Sequence, residues 1–159
     1  MADETRNQHE TVGAWAKRYH LANRALIESV LRPYDLGSTQ WYVLYQLAHD
    51  GPTMQRNMGQ TLHIERATLS GIVATLVRKG LVDQIPDSVD QRQRVLRLTA
   101  SGTKLWSELP DPIAVIGRIS LAGIDDAELE TTIRVLQTAT QRINDHMSAV
   151  QPADDLRRK

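Results

Sequence analysis

Residues 65–79 constrain this chain more than any other stretch. Leu69, Ile72, Val73 and Leu76 stand there at i, i+3, i+4 and i+7, the spacing that lines one face of an α-helix. Gly80 follows at once, where a helix ends in a left-handed residue that glycine adopts at little cost. With the apolar stripe turned inward, Ala67, Ser70, Gly71, Ala74, Thr75 and Arg78 face outward, and Arg66 and Thr68 flank the first turn. Small outward residues let a backbone come close to a partner surface, and Ser70 and Thr75 can donate or accept hydrogen bonds.

The surrounding punctuation turns this helix into a motif. Ahead of it, Val12, Trp15, Tyr19, Ala22 and Leu26 mark a long amphipathic helix that ends near Leu31, before Pro33. Ser38 is placed to cap a second helix carrying Trp41, Leu44, Tyr45 and Leu47, which the Asp50-Gly51-Pro52 turn stops. Thr53 is placed to cap a short third helix over residues 54–62, with Met58 and Leu62 on one face and His63-Ile64 as a brief connection to the fourth. Behind the fourth helix, two apolar runs at residues 81–85 and 95–99 flank a polar loop and predict a β-hairpin with a long, charged tip. Two helices joined by a tight turn and followed by such a hairpin are a winged helix-turn-helix, in which the second helix enters a major groove and the hairpin lies along the neighbouring backbone.

The rest of the chain reads as a helical frame. Thr99 caps a helix through Trp106 that must bend or stop at Leu109, because Pro110 and Pro112 each remove a donor. Asp111 and Pro112 suit an N-cap and a first helical position, and Gly123 closes that helix. Asp125 and Glu128 resemble a capping box for the last helix, where Leu129, Ile133, Leu136, Thr140, Ile143 and Met147 alternate steps of four and three. A period of about 3.5 residues favours a coiled-coil-like contact with another helix. The expected fold is mainly α with a small β-hairpin wing. Residues 37–104 form the winged-helix DNA-binding domain, 1–36 and 105–150 the helical dimerisation region, and 151–159 a disordered tail.

Composition excludes several classes. The chain has no cysteine, which removes disulfides, thiolate metal sites and thiol chemistry. Its histidines form no i, i+4 pair, so no metal site or cofactor is expected, and the absence of a Walker loop, GxGxxG or GxSxG speaks against an enzyme. A polar amino terminus and no apolar run of bilayer length predict a cytoplasmic protein with no membrane contact. Net charge is zero over the whole chain, yet residues 37–104 carry eight basic against five acidic groups and residues 105–159 six against nine. A basic middle fits a phosphate-facing module.

The run Asp90-Gln91-Arg92, then Val95-Leu96-Arg97-Leu98-Thr99 and Gly102, preceded by Gly80-Leu81-Val82, resembles the wing signature of the MarR (multiple antibiotic resistance regulator) family. The resemblance runs over residues 11–144. It implies that Arg92 reaches the minor groove of double-stranded DNA and that Asp90 orients it; Arg94 in the same charged loop is placed to reach phosphates, and the outward residues of the fourth helix to meet base edges. It also implies a homodimer built by the first and last helices, matching the stripes that contain Trp15 and Leu129, Ile133, Leu136, Ile143 and Met147. The family commonly binds small aromatic or phenolic effectors in a cleft beside the winged helix, so Trp15, Tyr19, Trp41, Tyr45 and Trp106 are candidate lining residues. Gln91 stands where relatives are often basic, Gly71 and Thr75 where many carry long side chains, and Pro110 and Pro112 break a helix that is usually longer. An alternative from another class is a dimeric winged-helix module that binds a protein instead of DNA, since the outward face of residues 65–79 is nearly uncharged.

Overall fold

A computed structural model describes residues 10–150; the expected disordered tail and the first nine residues lie outside the described residues. The chain divides into two compact units, residues 1–116 and 117–159. The first unit opens with α1 (Val12–Leu31), capped by Thr11, whose Oγ1 accepts the Ala14 N–H at 3.2 Å. Pro33 ends it in a short 3-10 turn, Arg32–Tyr34, and Asp35 turns the chain through the left-handed region at φ 55°. The next helix, α2 (Ser38–Asp50), is capped by the Gly37 backbone instead of by Ser38. Ser38 lies inside the first turn and is buried, and its hydroxyl donates to Glu28 Oε1 at 3.3 Å. A long-range partner on α1 thus claims the side chain expected to cap locally.

Thr53 and Met54 form a short strand, β1 (Thr53–Met54), that the sequence reading did not anticipate. Backbone pairing with residues some forty positions later holds it extended, and the Thr53 hydroxyl donates to Gly51 O at 2.9 Å. Thr53 therefore does not cap α3 (Gln55–Leu62), whose N-cap is Met54. A left-handed His63 (φ 51°) and an Ile64 N–H donated to Gly59 O at 2.9 Å close the turn into α4 (Arg66–Arg78). Gly80 takes the expected left-handed conformation at φ 70°. Strands β2 (Val82–Pro86) and β3 (Arg94–Leu98) form the hairpin, and the antiparallel sheet runs β1-β3-β2.

Thr99 Oγ1 accepts the Gly102 N–H at 2.9 Å and starts α5 (Ala100–Glu108). Gly102 packs so tightly on the hairpin base that a Cβ there would stand 2.0 Å from the Leu81 carbonyl oxygen. Asp111 Oδ1 accepts the N–H groups of Ile113 and Ala114 at 2.9 and 3.2 Å, starting α6 (Pro112–Ser120) as expected. Gly123 is left-handed (φ 80°) but lies beyond the helix end, in a turn closed by Ile124 N–H to Leu121 O. Asp125 Oδ1 then accepts the Ala127 N–H at 2.9 Å and caps α7 (Asp126–Val150).

The core of the first unit draws Ile27, Leu31, Trp41, Leu44, Met58, Leu69, Val73, Leu76, Val82 and Leu96 from every element around it. Each such side chain contributes about 1.5–3 kcal/mol by leaving water. Only the last third of α1 takes part. Trp15 and Tyr19, on the stripe read from sequence, are 53% and 43% exposed; of that stripe Leu26 packs against the core, beside the buried Ile27 and Leu31. In the second unit no residue of α7 is buried, and Ile133 and Ile143 are 55% and 64% exposed.

Candidate nucleic-acid interface

The face of α3, the first turns of α4 and the hairpin enclose a groove of about 710 Å³. Arg56, Arg66, Arg92 and Arg94 line it with Gln55, Gln60, Gln84, Gln93 and Ser70, and no carboxylate is among its lining residues. Four guanidinium groups at one concave face concentrate positive potential although the chain as a whole is neutral. Of the residues expected from sequence, the groove gathers Arg66, Ser70, Arg92 and Arg94. Ala67, Thr68, Gly71, Thr75, Arg78 and Asp90 lie outside its lining.

The hydroxyls of α4 are already committed. Glu65, the N-cap, accepts the N–H groups of Ala67 and Thr68 at 3.2 and 3.3 Å, and the Thr68 hydroxyl turns back to the same carboxylate at 3.4 Å. A carboxylate at this position also offsets the helix dipole, so the positive character of the face comes from arginines and not from the helix end. Ser70 donates to Arg66 O at 2.9 Å, and Thr75 donates to Gly71 O at 3.1 Å while accepting from Arg78 at 3.3 Å. Thr75 is half-buried, at the flank of the outward face and not at its centre. Ala67, Gly71 and Ala74 are exposed, and a Cβ added at Gly71 would meet nothing within 4 Å, so the α4 backbone is open to close approach.

At the wing tip Asp87 Oδ2 accepts the N–H groups of Asp90 and Val89 at 2.9 and 3.0 Å, which holds its carboxyl below the usual carboxylate range. Asp90 in turn accepts the backbone N–H of Arg92 at 3.0 Å and the Gln93 amide at 3.3 Å. Its observed contact to Arg92 is thus through the main chain, which sets where the side chain departs and leaves the guanidinium free to face outward. Arg97, by contrast, is paired with Asp83 across the hairpin at 3.1 Å, in register.

Sequence reasoning missed Gln55, Arg56, Gln60, Gln84 and Gln93. The polar face of the short helix α3 was a signal for the first three. The amides of the hairpin carried none, because only the folded hairpin brings Gln84 to Gln55 of α3 and both amides to the groove.

Of the candidate effector residues, Trp41, Tyr45 and Trp106 come together: Trp41 meets Tyr45 at 5.2 Å and Trp106 at 5.8 Å between ring centroids. His49, not singled out from sequence, stacks on Tyr45 at 4.1 Å. Trp41 is 1% exposed, a core residue whose indole N–H is buried without a hydrogen-bond partner. Trp15 donates to Glu10 at 3.2 Å and lies under the Arg18 guanidinium. Among the described residues no three His, Asp or Glu side chains are grouped to hold a metal ion, and no helix is long and apolar enough to cross a membrane.

A helix-turn-helix backed by an antiparallel hairpin, with arginines from both facing one groove, defines a winged-helix DNA-binding protein. Comparison with known proteins narrows the class. A MarR family model matches residues 34–93, and the chain is similar to transcriptional regulators of that family. It is 27% identical over 109 residues to the HTH-type transcriptional regulator FarR of Neisseria gonorrhoeae, spanning 69% of this chain and 75% of that protein. It is 26% identical over 128 residues to the HTH-type transcriptional repressor NicR of Pseudomonas putida, spanning 80% and 81%. Among solved structures, the PcaV transcriptional regulator of Streptomyces coelicolor in complex with its natural ligand superposes with a TM-score of 0.71 at 26% identity, over 89% of this chain and 98% of that one.

Proposed function

We propose that the protein is a cytoplasmic, sequence-specific repressor that binds a pseudo-palindromic operator as a homodimer and is released by a small aromatic or phenolic ligand. The groove with four arginines and no carboxylate, shared between the start of α4 and the wing, carries this reading. Guanidinium forks match phosphate oxygens and the O6/N7 edge of guanine, and the exposed small residues of α4 admit close approach to the bases. Repression is the role named for the relative NicR. The exposed stripe of α7 and the exposed apolar residues of α1 support a second copy as partner, since such surfaces are costly to leave in water. The ligand reading rests on the Trp41, Tyr45 and Trp106 cluster and on the unpartnered indole N–H of Trp41, which an acceptor on an aromatic ligand would satisfy. PcaV is a relative solved with a natural ligand.

Selection of bound sequences from a random duplex pool, with the winners titrated at two salt concentrations, tests the proposal. A pseudo-palindrome bound with steep salt dependence is expected. Arg92→Ala should weaken binding to every sequence and lower the salt slope by about 1; unchanged affinity would remove the wing from the interface. No enrichment at low salt would favour a protein-binding module.

A further inference from the structure

We propose that Gln55 is a specificity-determining positioning residue, which fixes the Ser70 hydroxyl as an acceptor toward DNA and ties it to the wing through Gln84. The proposal rests on the DNA-binding reading above and goes beyond it by assigning a hydrogen-bond polarity to one reading position. Three elements meet in one chain of hydrogen bonds. Gln84 of β2 donates its amide to Gln55 Oε1 at 2.6 Å, Gln55 of α3 donates to Ser70 Oγ at 3.2 Å, and Ser70 of α4 donates to Arg66 O at 2.9 Å.

A serine hydroxyl has one proton and two lone pairs, and left alone it rotates to suit either a donor or an acceptor. Here the proton is spent on Arg66 O and one lone pair on Gln55, so the capacity that remains is a single acceptor. In a major groove an acceptor selects the N6 amine of adenine or the N4 amine of cytosine, and it disfavours guanine O6 and N7 and thymine O4. The amides of Gln55 and Gln84 are neutral, so they act on base preference and on the placement of the hairpin against α4 without counting among the phosphate contacts. The bond to Arg66 O is made within α4, and Gln55 adds a second restraint that keeps the hydroxyl from turning. That restraint comes from outside the recognition helix, from a residue of α3 that the hairpin holds in turn.

The test applies the selection experiment to the native chain, Gln55→Ala, Gln84→Ala, the double variant and Ser70→Ala. Gln55→Ala should weaken the native operator by about 3- to 10-fold, the range of one hydrogen bond. It should also relax preference at the same base pair that Ser70→Ala relaxes, with the salt slope unchanged. The double variant should lose no more than the worse single variant, because both break one chain. Gln84 is exposed on the hairpin, so its variant probes the chain even where Gln55→Ala lowers stability. If Gln55→Ala enriches the same sequence as the native chain, or if the two losses multiply, the inference is overturned while the DNA reading stands. If the native chain enriches no sequence at all, the DNA reading falls and the inference falls with it.

Discussion

Asp87 shows how much a single side chain decides at the wing. Its carboxylate collects the N–H groups of Asp90 and Val89, and Asp90 then collects that of Arg92, so the departure point of the groove-facing arginine is set two hydrogen bonds away. Those bonds hold the Asp87 carboxyl below its ordinary value of 3.8. A lowered folded-state value means the stabilisation is complete above 3.8 and is lost as pH falls through the lower value. The amide resonances of Val89 and Asp90 should therefore stay in place from neutral pH to about pH 4 and move only in stronger acid. A transition centred at or above 3.8 would contradict the assignment. None of this was legible from residue identities, which allowed Asp90 to pair with a guanidinium as readily as with a backbone N–H. The same ambiguity held for Arg97, which the sequence places only in the second apolar run of the hairpin and which is bound to Asp83.

At the scale of elements, α5 and the hairpin meet at Gly102. The Thr99 N–H donates to Leu81 O at 3.1 Å, and the same carbonyl oxygen is what a Cβ at Gly102 would strike. Since the obstacle is backbone, it cannot rotate away. Gly102→Ala should lower stability by about 1–3 kcal/mol, the usual cost of overpacking, seen as a drop in thermal melting temperature; an unchanged melting temperature would mean that α5 and the hairpin are free to separate. The glycine of the Leu-Thr-x-x-Gly run thus has a packing reason. Most helices were legible from their stripes and caps, α4 best of all, because periodicity and capping are local. The errors at Ser38 and Thr53 arose where a distant partner, Glu28 or the backbone of β3, won over the local cap.

For the whole molecule, α7 leaves a row of apolar side chains in water. Ile133, Leu136, Ile143 and Met147 repeat along 25 residues with none buried, and a lone amphipathic helix gains most of its stability from packing its apolar face. Replacing Ile133 and Ile143 together by Glu should convert the proposed dimer into a monomer by sedimentation and cost about 100-fold or more in operator affinity, since a bivalent contact becomes a single one. A double variant that sediments and binds as the native chain does would place the dimer contact elsewhere. The sequence by itself determined the order of helices, the hairpin, the left-handed Gly80, the capping by Thr99 and Asp111 and the family wing motif, because each depends on residues close together in the chain. Only the tertiary structure decided that Arg56, Arg66, Arg92 and Arg94 share one groove, that Arg97 is held by Asp83, and that the Ser70 hydroxyl is held by Gln55. Those arrangements join residues of different elements, and a side chain with several available partners is committed only when folding brings one of them within reach.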